Sequence, residues 1–159
     1  MLTFEATEDG LLRVMLACDS FRRHWAKFRA MPHAPTFEGV PDDIRALDYL
    51  IYEGLDYPEG DIEDAALVWG NVLAQQAGFR WVCSYQGDLL LRWGELDPYV
   101  MGAAIWPYGR LLEADAGGVP MAERFGRMTW QVVASCLAND PDPGLVANLR
   151  LLADEFGPD

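Results

Sequence analysis

Ten carboxylates between Glu38 and Asp64 are the residues of this chain best suited to bind a charged partner, and Arg45 is the single base among them. The segment carries a net charge of −9, out of −13 for the whole chain. Apolar residues recur through it at helical spacing, so we expect the charge to be displayed on folded helices. A fixed acidic surface attracts basic partners. With one aromatic residue added from a strand, the predicted partner-binding residues are Asp42, Asp43, Asp48, Glu53, Asp56, Glu59, Asp61, Glu63 and Trp93.

The same carboxylates allow two other interpretations. In one, they only keep the protein soluble. In the other, a pair such as Glu59 and Asp61 performs acid–base catalysis, but this would require one carboxyl group buried enough to stay protonated, and crowded polar surroundings favour ionisation. The sequence also lacks the G-x-G-x-x-G, Walker, G-x-S-x-G and H-E-x-x-H motifs. We therefore expect a binding protein and not an enzyme.

Histidines and cysteines do not form a recognisable metal or nucleophile motif. His24 and His33 have no cysteine or carboxylate four residues further on, so the helical spacing of metal ligands is missing. Cys18, Cys83 and Cys136 lie far apart among apolar residues, which is typical of reduced thiols in an intracellular protein. We therefore expect neither a metal nor a cofactor.

The overall charge restricts the class of partner. A net charge of −13 and a pI near 4.4 repel nucleic acids and anionic membranes, whereas they attract basic proteins. No apolar run approaches the roughly 18 residues of a membrane span, and the first residues lack the basic and apolar regions of a signal peptide. The sequence predicts a cytoplasmic protein that binds neither nucleic acid nor membrane.

Five amphipathic helices are predicted from apolar residues that recur every three or four positions. Pro41 suits the first turn of the second helix, which ends near residue 55, before Pro58 and Gly60. The other helices cover residues 8–30, 61–77, 121–136 and 145–156. The buried stripe of the first helix is expected to contain Leu11, Met15, Cys18, Phe21, Trp25 and Phe28.

Between the third and fourth helices the apolar period changes to two, which indicates strands. Residues 79–85 and 89–93 form the clearest hairpin, and a third strand is predicted over residues 99–106, ending at Pro107. Consecutive strands between groups of helices favour the α+β class over a parallel doubly wound sheet. We expect a single domain, residues 1–159, in which an antiparallel meander of three strands, or slightly more, packs against several amphipathic helices.

A set of glycines with a tryptophan and a proline marks residues 61–118. It comprises Gly70-Asn71-Val72-Leu73, Gly78-Phe79-Arg80-Trp81-Val82, Gly87, Ile105-Trp106-Pro107, Leu111 and a closing glycine. This pattern covers about a third of the chain and resembles a group of uncharacterised small bacterial domains, some of which act as immunity proteins beside polymorphic toxins. Related sequences often carry Gly-Glu where this chain has Gly70-Asn71. The resemblance implies toxin inhibition and brings no catalytic residues.

Two functional hypotheses follow. The first is an immunity or antitoxin-like inhibitor, whose acidic surface occludes a basic toxin domain and gains a fast association rate from electrostatic steering. The alternative is a small-molecule-binding or regulatory domain, with an aromatic pocket between the strands and the helices that is lined by Trp69, Trp81 and Trp106. Neither hypothesis requires a cofactor.

Overall fold

Six helices accompany one antiparallel sheet in the computed structural model, which describes residues 3–26, 37–52, 59–93, 104–138 and 143–158. The helices in these ranges are α1 (Glu8–Ala26), α2 (Pro41–Tyr52), α3 (Glu59–Ala77), α4 (Pro107–Ala116), α5 (Arg124–Ala138) and α6 (Pro143–Phe156), with a 3₁₀ turn, Met121–Glu123, before α5. The strands are β1 (Thr3–Glu5), β2 (Phe79–Ser84), β3 (Leu89–Trp93) and β4 (Ala104–Ile105). The predicted α+β class is confirmed.

The predicted hairpin forms the centre of the sheet. Strands β2 and β3 are antiparallel, with Trp81 opposite Leu91. The connecting turn contains Gly87 at a φ of +88°, a conformation that glycine adopts without strain. The Ser84 hydroxyl accepts the backbone N–H of Asp88 at 3.2 Å and so helps to close the turn.

The outer strands differ from the prediction. The sheet order is β1-β2-β3-β4, and all neighbouring strands are antiparallel. The sequence pattern does not predict β1, because three residues are too few to show a period; β1 joins β2 although α1, α2 and α3 lie between them in the chain. Of the third predicted strand, residues 104–105 form β4, Trp106 precedes α4, and residues 99–103 lie outside the described ranges.

Helix α3 is the centre of the hydrophobic core. It contacts α1, α2, α4, α6 and β2, and its residues 65–70 are all buried, as expected of a helix with apolar residues on all sides. The indole N–H of Trp69 donates to the hydroxyl of Thr129 on α5 at 2.9 Å, and this hydroxyl donates to the carbonyl of Phe125 at 2.8 Å. All three residues are fully buried, so their polar groups are satisfied inside the core.

The core face of α1 matches the predicted stripe at Cys18, Phe21 and Trp25 and departs from it nearer the start of the helix. Leu11 and Met15 were expected in the core, but they are 43% and 68% exposed. The helix carries apolar residues on more than one side, so spacing alone allows two stripes. The observed stripe contains Val14, Ala17, Cys18, Phe21 and Trp25. Phe28 lies outside the described residues.

One helix start and one whole helix also differ from the prediction. Helix α3 begins at Glu59, so Gly60 lies inside it and not in the predicted break. Helix α4 was not predicted, because Pro107 was interpreted as the end of a strand. Proline suits the first position of a helix equally well, and Pro107 occupies that position in α4. Leu111 of α4 is buried in the core. Helices α5 and α6 lie where the sequence predicts them.

Candidate functional site

Asp43 is not part of the acidic surface, contrary to the prediction. It is fully buried, and its carboxylate accepts the backbone N–H groups of Phe37, Gly39 and Val40 at 3.0, 2.9 and 3.1 Å. Burial raises the pKa of Asp43, while the three N–H donors lower it. The bonds hold the turn before α2, where φ is +56° at Phe37 and +94° at Gly39. Asp43 therefore stabilises the turn before α2 and is not available to a partner.

Asp48 connects two helices inside the molecule. Its carboxyl group on α2 accepts the backbone N–H groups of Phe125 at 2.7 Å and of Gly126 at 3.1 Å. These N–H groups belong to the first turn of α5, where unpaired donors attract a carboxylate. Burial raises the pKa of Asp48 to about 7, whereas the two N–H donors and Arg124 lower it. Its capping role has no local sequence signal, because 77 residues separate Asp48 from Phe125.

Asp42 and Glu63 lie at the surface, and both form ion pairs. Asp42 is 2.7 Å from Arg45, one turn further along α2. Glu63 on α3 pairs with Arg13 on α1. The side chains of both pairs are about half exposed, so each pair contributes little to stability, on the order of 0–1 kcal/mol. Their carboxylates remain accessible to a partner.

The remaining predicted residues are only partly described. Glu53 and Asp56 lie outside the described ranges. Glu59 and Asp61 begin α3, but their side chains are not among those described. Trp93 ends β3 and is half-buried against the core. Among the described side chains, the predicted set therefore does not form one continuous acidic face.

A cleft of about 620 Å³ between α2, α5 and the end of α6 contains Asp48. We call it the α2–α5–α6 cleft. Its volume falls within the range of about 300–1,000 Å³ that is usual for ligand sites. The residues that give it its chemical character are Arg45, Asp48, Glu123, Arg127, Trp130 and Phe156.

Arg45 links α2 to α6 at this cleft. Its guanidinium group donates to Asp42 at 2.7 Å and to Glu155 at 3.1 Å. The same group lies 5.1 Å from the centre of the Phe156 ring. A cation on an aromatic face beside carboxylates is a favourable arrangement. One guanidinium group of the chain itself therefore already lies on an aromatic ring in the cleft.

Trp130 gives the cleft a second aromatic surface. It is half-buried on α5, one turn beyond Arg127, whose guanidinium group pairs with Glu123 at 2.5 Å. More than half of each side chain in that pair is exposed. Three carboxyl groups line the cleft, those of Asp48, Glu123 and Glu155, against the two guanidinium groups of Arg45 and Arg127. Glu155 is paired with Arg45 and Glu123 with Arg127.

The three tryptophans of the predicted aromatic pocket do not share one cavity. Trp69 is fully buried and bonded to Thr129. The ring of Trp81 packs against α3 at Gly70. Trp106 is 43% exposed and lies beside Tyr108, with 5.8 Å between ring centres. None of the three lines the α2–α5–α6 cleft.

Burial perturbs two of the three cysteine thiols. Burial raises the pKa of Cys18 and of Cys136 to about 11, so these thiols stay protonated and are weak nucleophiles near neutral pH. Cys18, Cys83 and Cys136 are all free of disulfide bonds. Among the described residues, no group of three histidine, cysteine or acidic side chains is arranged to hold a metal ion. Within the same ranges, every helix is too short or too polar to cross a membrane.

Of the residues that line the cleft, sequence reasoning placed only Asp48 in the site, and the missed residues that could bind a cation are Glu123, Trp130 and Glu155. One signal points to Trp130, because it lies off the buried stripe of α5, between Met128 and Val132. A large aromatic residue beside the core stripe often has one exposed face. Glu123 and Glu155 have no local pattern that relates them to α2, since they reach the cleft only through the packing of α5 and α6.

The α2–α5–α6 cleft combines two aromatic surfaces with an excess of carboxyl groups. These properties favour a cationic group as its ligand. No protein-family model, no curated protein and no solved structure matches the chain significantly, so its function is inferred from this geometry and from its sequence.

Proposed function

We propose that the protein is a binding module for a basic protein partner, acting as an immunity or antitoxin-like inhibitor that occludes a basic toxin domain. The observation that carries this proposal is the α2–α5–α6 cleft, which the partly exposed carboxylates of Glu123 and Glu155 line together with Trp130 and Phe156. A lysine or arginine side chain of the partner would place its cation on Trp130 and donate to Glu123 or Glu155. Arg45 on Phe156 is an internal example of the same contact.

The charge distribution supports a basic partner. Within the described residues, six arginines form ion pairs with carboxylates of the same chain: Arg13, Arg22, Arg23, Arg45, Arg124 and Arg127. Because these bases are paired internally, the excess of carboxylates determines the surrounding field, at a net charge of −13. Such a field steers a basic partner and raises its association rate.

The inhibitor role is supported by the resemblance of residues 61–118 to a group of uncharacterised small bacterial domains, some of which act as immunity proteins of toxin systems. Toxins that act on nucleic acids have basic clefts, and an acidic protein that covers such a cleft competes with the substrate. We place the protein in the cytoplasm, where its three free cysteines would stay reduced. Aromatic anchors such as Trp130 would then slow dissociation of the complex.

The alternative, a small-molecule-binding domain, has one favourable observation, the volume of the α2–α5–α6 cleft. A thermal-shift screen of metabolite classes separates the two functions. A ligand at 100 times its dissociation constant adds about 2.7 kcal/mol to the free energy of unfolding, which is a measurable rise in melting temperature. Under the protein-binding proposal, none of the metabolites produces such a rise.

A pull-down from a lysate of the native organism tests the proposal. Tagged protein is bound to a resin, and captured proteins are eluted first at low and then at high salt. We expect one stoichiometric protein of high pI that elutes with salt. The test variant Trp130→Ala should capture much less of this protein, whereas the matched control Tyr85→Ala, at a 79% exposed position of the hairpin turn, should capture it normally. A partner that is acidic, or that both variants retain equally, would overturn the proposal.

A further inference from the structure

Arg45 places a guanidinium group among three groups that suit it, at the α2–α5–α6 cleft. It donates to Asp42 at 2.7 Å and to Glu155 at 3.1 Å, and it lies over the ring of Phe156 at 5.1 Å from the ring centre. The two carboxylates accept its N–H groups, and the ring offers a face to the planar cation. We call Asp42, Glu155 and Phe156 the guanidinium subsite. The chain itself therefore shows which chemical group this part of the cleft binds.

The guanidinium subsite does not depend on Arg45 for its shape. Phe156 packs against the hydrophobic core, and its ring lies beside α5, where a Cβ atom added at Gly126 would be 3.7 Å from it. Glu155 precedes Phe156 on α6, and Asp42 belongs to the first turn of α2. Helix α5 contacts both α2 and α6. These groups would therefore keep their positions if the guanidinium group of Arg45 left.

Arg45 is held loosely enough to be exchanged for another cation. Its side chain is 52% exposed, and those of Asp42 and Glu155 are 58% and 39% exposed. Ion pairs at such positions contribute little to stability, because water screens them. Arg45 also lies one turn from Asp42 on the same helix, so it can keep this carboxylate as a partner while it releases Glu155 and the ring. Exchange would therefore leave no buried charge unpaired.

We propose that Arg45 is an internal occupant of the guanidinium subsite, and that an arginine of the basic partner replaces it on Glu155 and Phe156. This inference rests on the proposed function, since the same cleft binds the partner, and it identifies the partner's side chain as arginine. Lysine fits the subsite less well, because its ammonium group is a strongly hydrated point charge that does not match a carboxylate and a ring face together.

An internal occupant makes the cleft selective. A free cation in solution must compete with a guanidinium group that is tethered beside the subsite and so has a high effective concentration there. A partner that also contacts Trp130 and Glu123 gains additional binding free energy, which it can use to replace Arg45. Wild-type protein should therefore bind isolated cations weakly and the partner tightly.

Titration with side-chain analogues, followed by NMR spectroscopy of the protein amides, tests the guanidinium subsite. Propylguanidinium represents arginine, and butylammonium represents lysine. Arg45→Ala should bind propylguanidinium about tenfold more tightly than wild type does, because the internal competitor is gone. The largest spectral changes should occur at the amides of Glu155 and Phe156, and butylammonium should bind more weakly. The matched control is Arg23→Ala, which removes an exposed arginine that pairs with Asp19 on its own helix, outside the cleft, and should bind like wild type.

A second substitution tests whether the gain arises in the subsite. In the Arg45→Ala background, Glu155→Gln should remove most of the gain, because the guanidinium group loses a charged acceptor. The spectra also show whether each variant is folded. The inference is wrong if Arg45→Ala gains no affinity, if butylammonium gains as much as propylguanidinium, or if Arg23→Ala gains as much as Arg45→Ala. None of these results involves the captured partner, so the proposed function is tested separately by Trp130→Ala.

Discussion

The backbone N–H of Phe125 donates to the carboxyl group of Asp48 at 2.7 Å, and this bond holds the start of α5 against α2. The other carboxyl oxygen accepts the N–H of Gly126 at 3.1 Å. An aspartate from the most acidic segment of the chain thus positions the helix that carries Trp130. The same side chain was expected to contact a partner; in the structure it caps α5 and also lines the α2–α5–α6 cleft.

Replacing Asp48 with alanine should lower the free energy of unfolding by about 2 kcal/mol, because two N–H groups at the start of α5 lose their acceptor. Urea denaturation measures this change. The matched control is Asp42→Ala, which removes an exposed ion pair on the same helix and should cost less than about 1 kcal/mol. Equal losses of stability in the two variants would show that the hydrogen bonds from Asp48 to α5 do not stabilise the protein.

The stability of the protein should depend on the ionisation of Asp48. Its pKa is raised from a usual 3.8 to about 7, mainly by burial, so the folded state holds this proton more tightly than the unfolded state. The resulting stabilisation is complete below about pH 4 and is lost as the pH rises through about 7. Urea denaturation at several pH values should therefore show the wild type losing stability relative to Asp48→Asn over this interval. If the difference in stability between wild type and Asp48→Asn stays constant with pH, the raised pKa does not belong to Asp48.

Gly70 should not tolerate alanine. A Cβ atom there would lie 2.6 Å from the ring of Trp81 and 3.2 Å from Leu91, so α3 and the sheet would have to separate. Glycine-to-alanine changes inside a helix ordinarily stabilise it by about 1 kcal/mol, whereas we expect a loss of about 1–3 kcal/mol here. In a Trp81→Leu background the same change should cost much less, because the ring is gone. Strict additivity in this double-mutant cycle would refute the steric explanation.

Elements with strong local signals were predictable from the sequence. Pro41 at the first position of α2, with Ile44 and Leu47 facing the core, gives a clear helix pattern. The period of two in residues 79–85 and 89–93, on either side of Gly87, likewise predicts the antiparallel β2–β3 hairpin. In both cases the residues that determine the element lie within a few positions of one another, so periodicity and turn chemistry are sufficient.

Features that depend on distant residues were not predictable. The roles of Asp43 and Asp48 depend on which backbone N–H groups the tertiary fold brings to them, and a carboxylate that caps a helix looks like any other in the sequence. The exposed side of α1 was misplaced because Met15 and Val14 belong to two competing apolar stripes, and only packing against α3 selects one. The cleft combines three helices, which no local pattern relates.

The affinity of the captured basic partner for cleft variants tests the central claim most directly. Calorimetric titration of that partner into wild-type protein, Trp130→Ala and Glu123→Gln compares the aromatic and the acidic contributions. We predict that each variant binds the partner about tenfold more weakly or worse, since a centrally buried anchor contributes about 2 kcal/mol. The affinity of Glu123→Gln should also depend less on salt concentration. Unchanged affinity in both variants would mean that the α2–α5–α6 cleft is not the binding site.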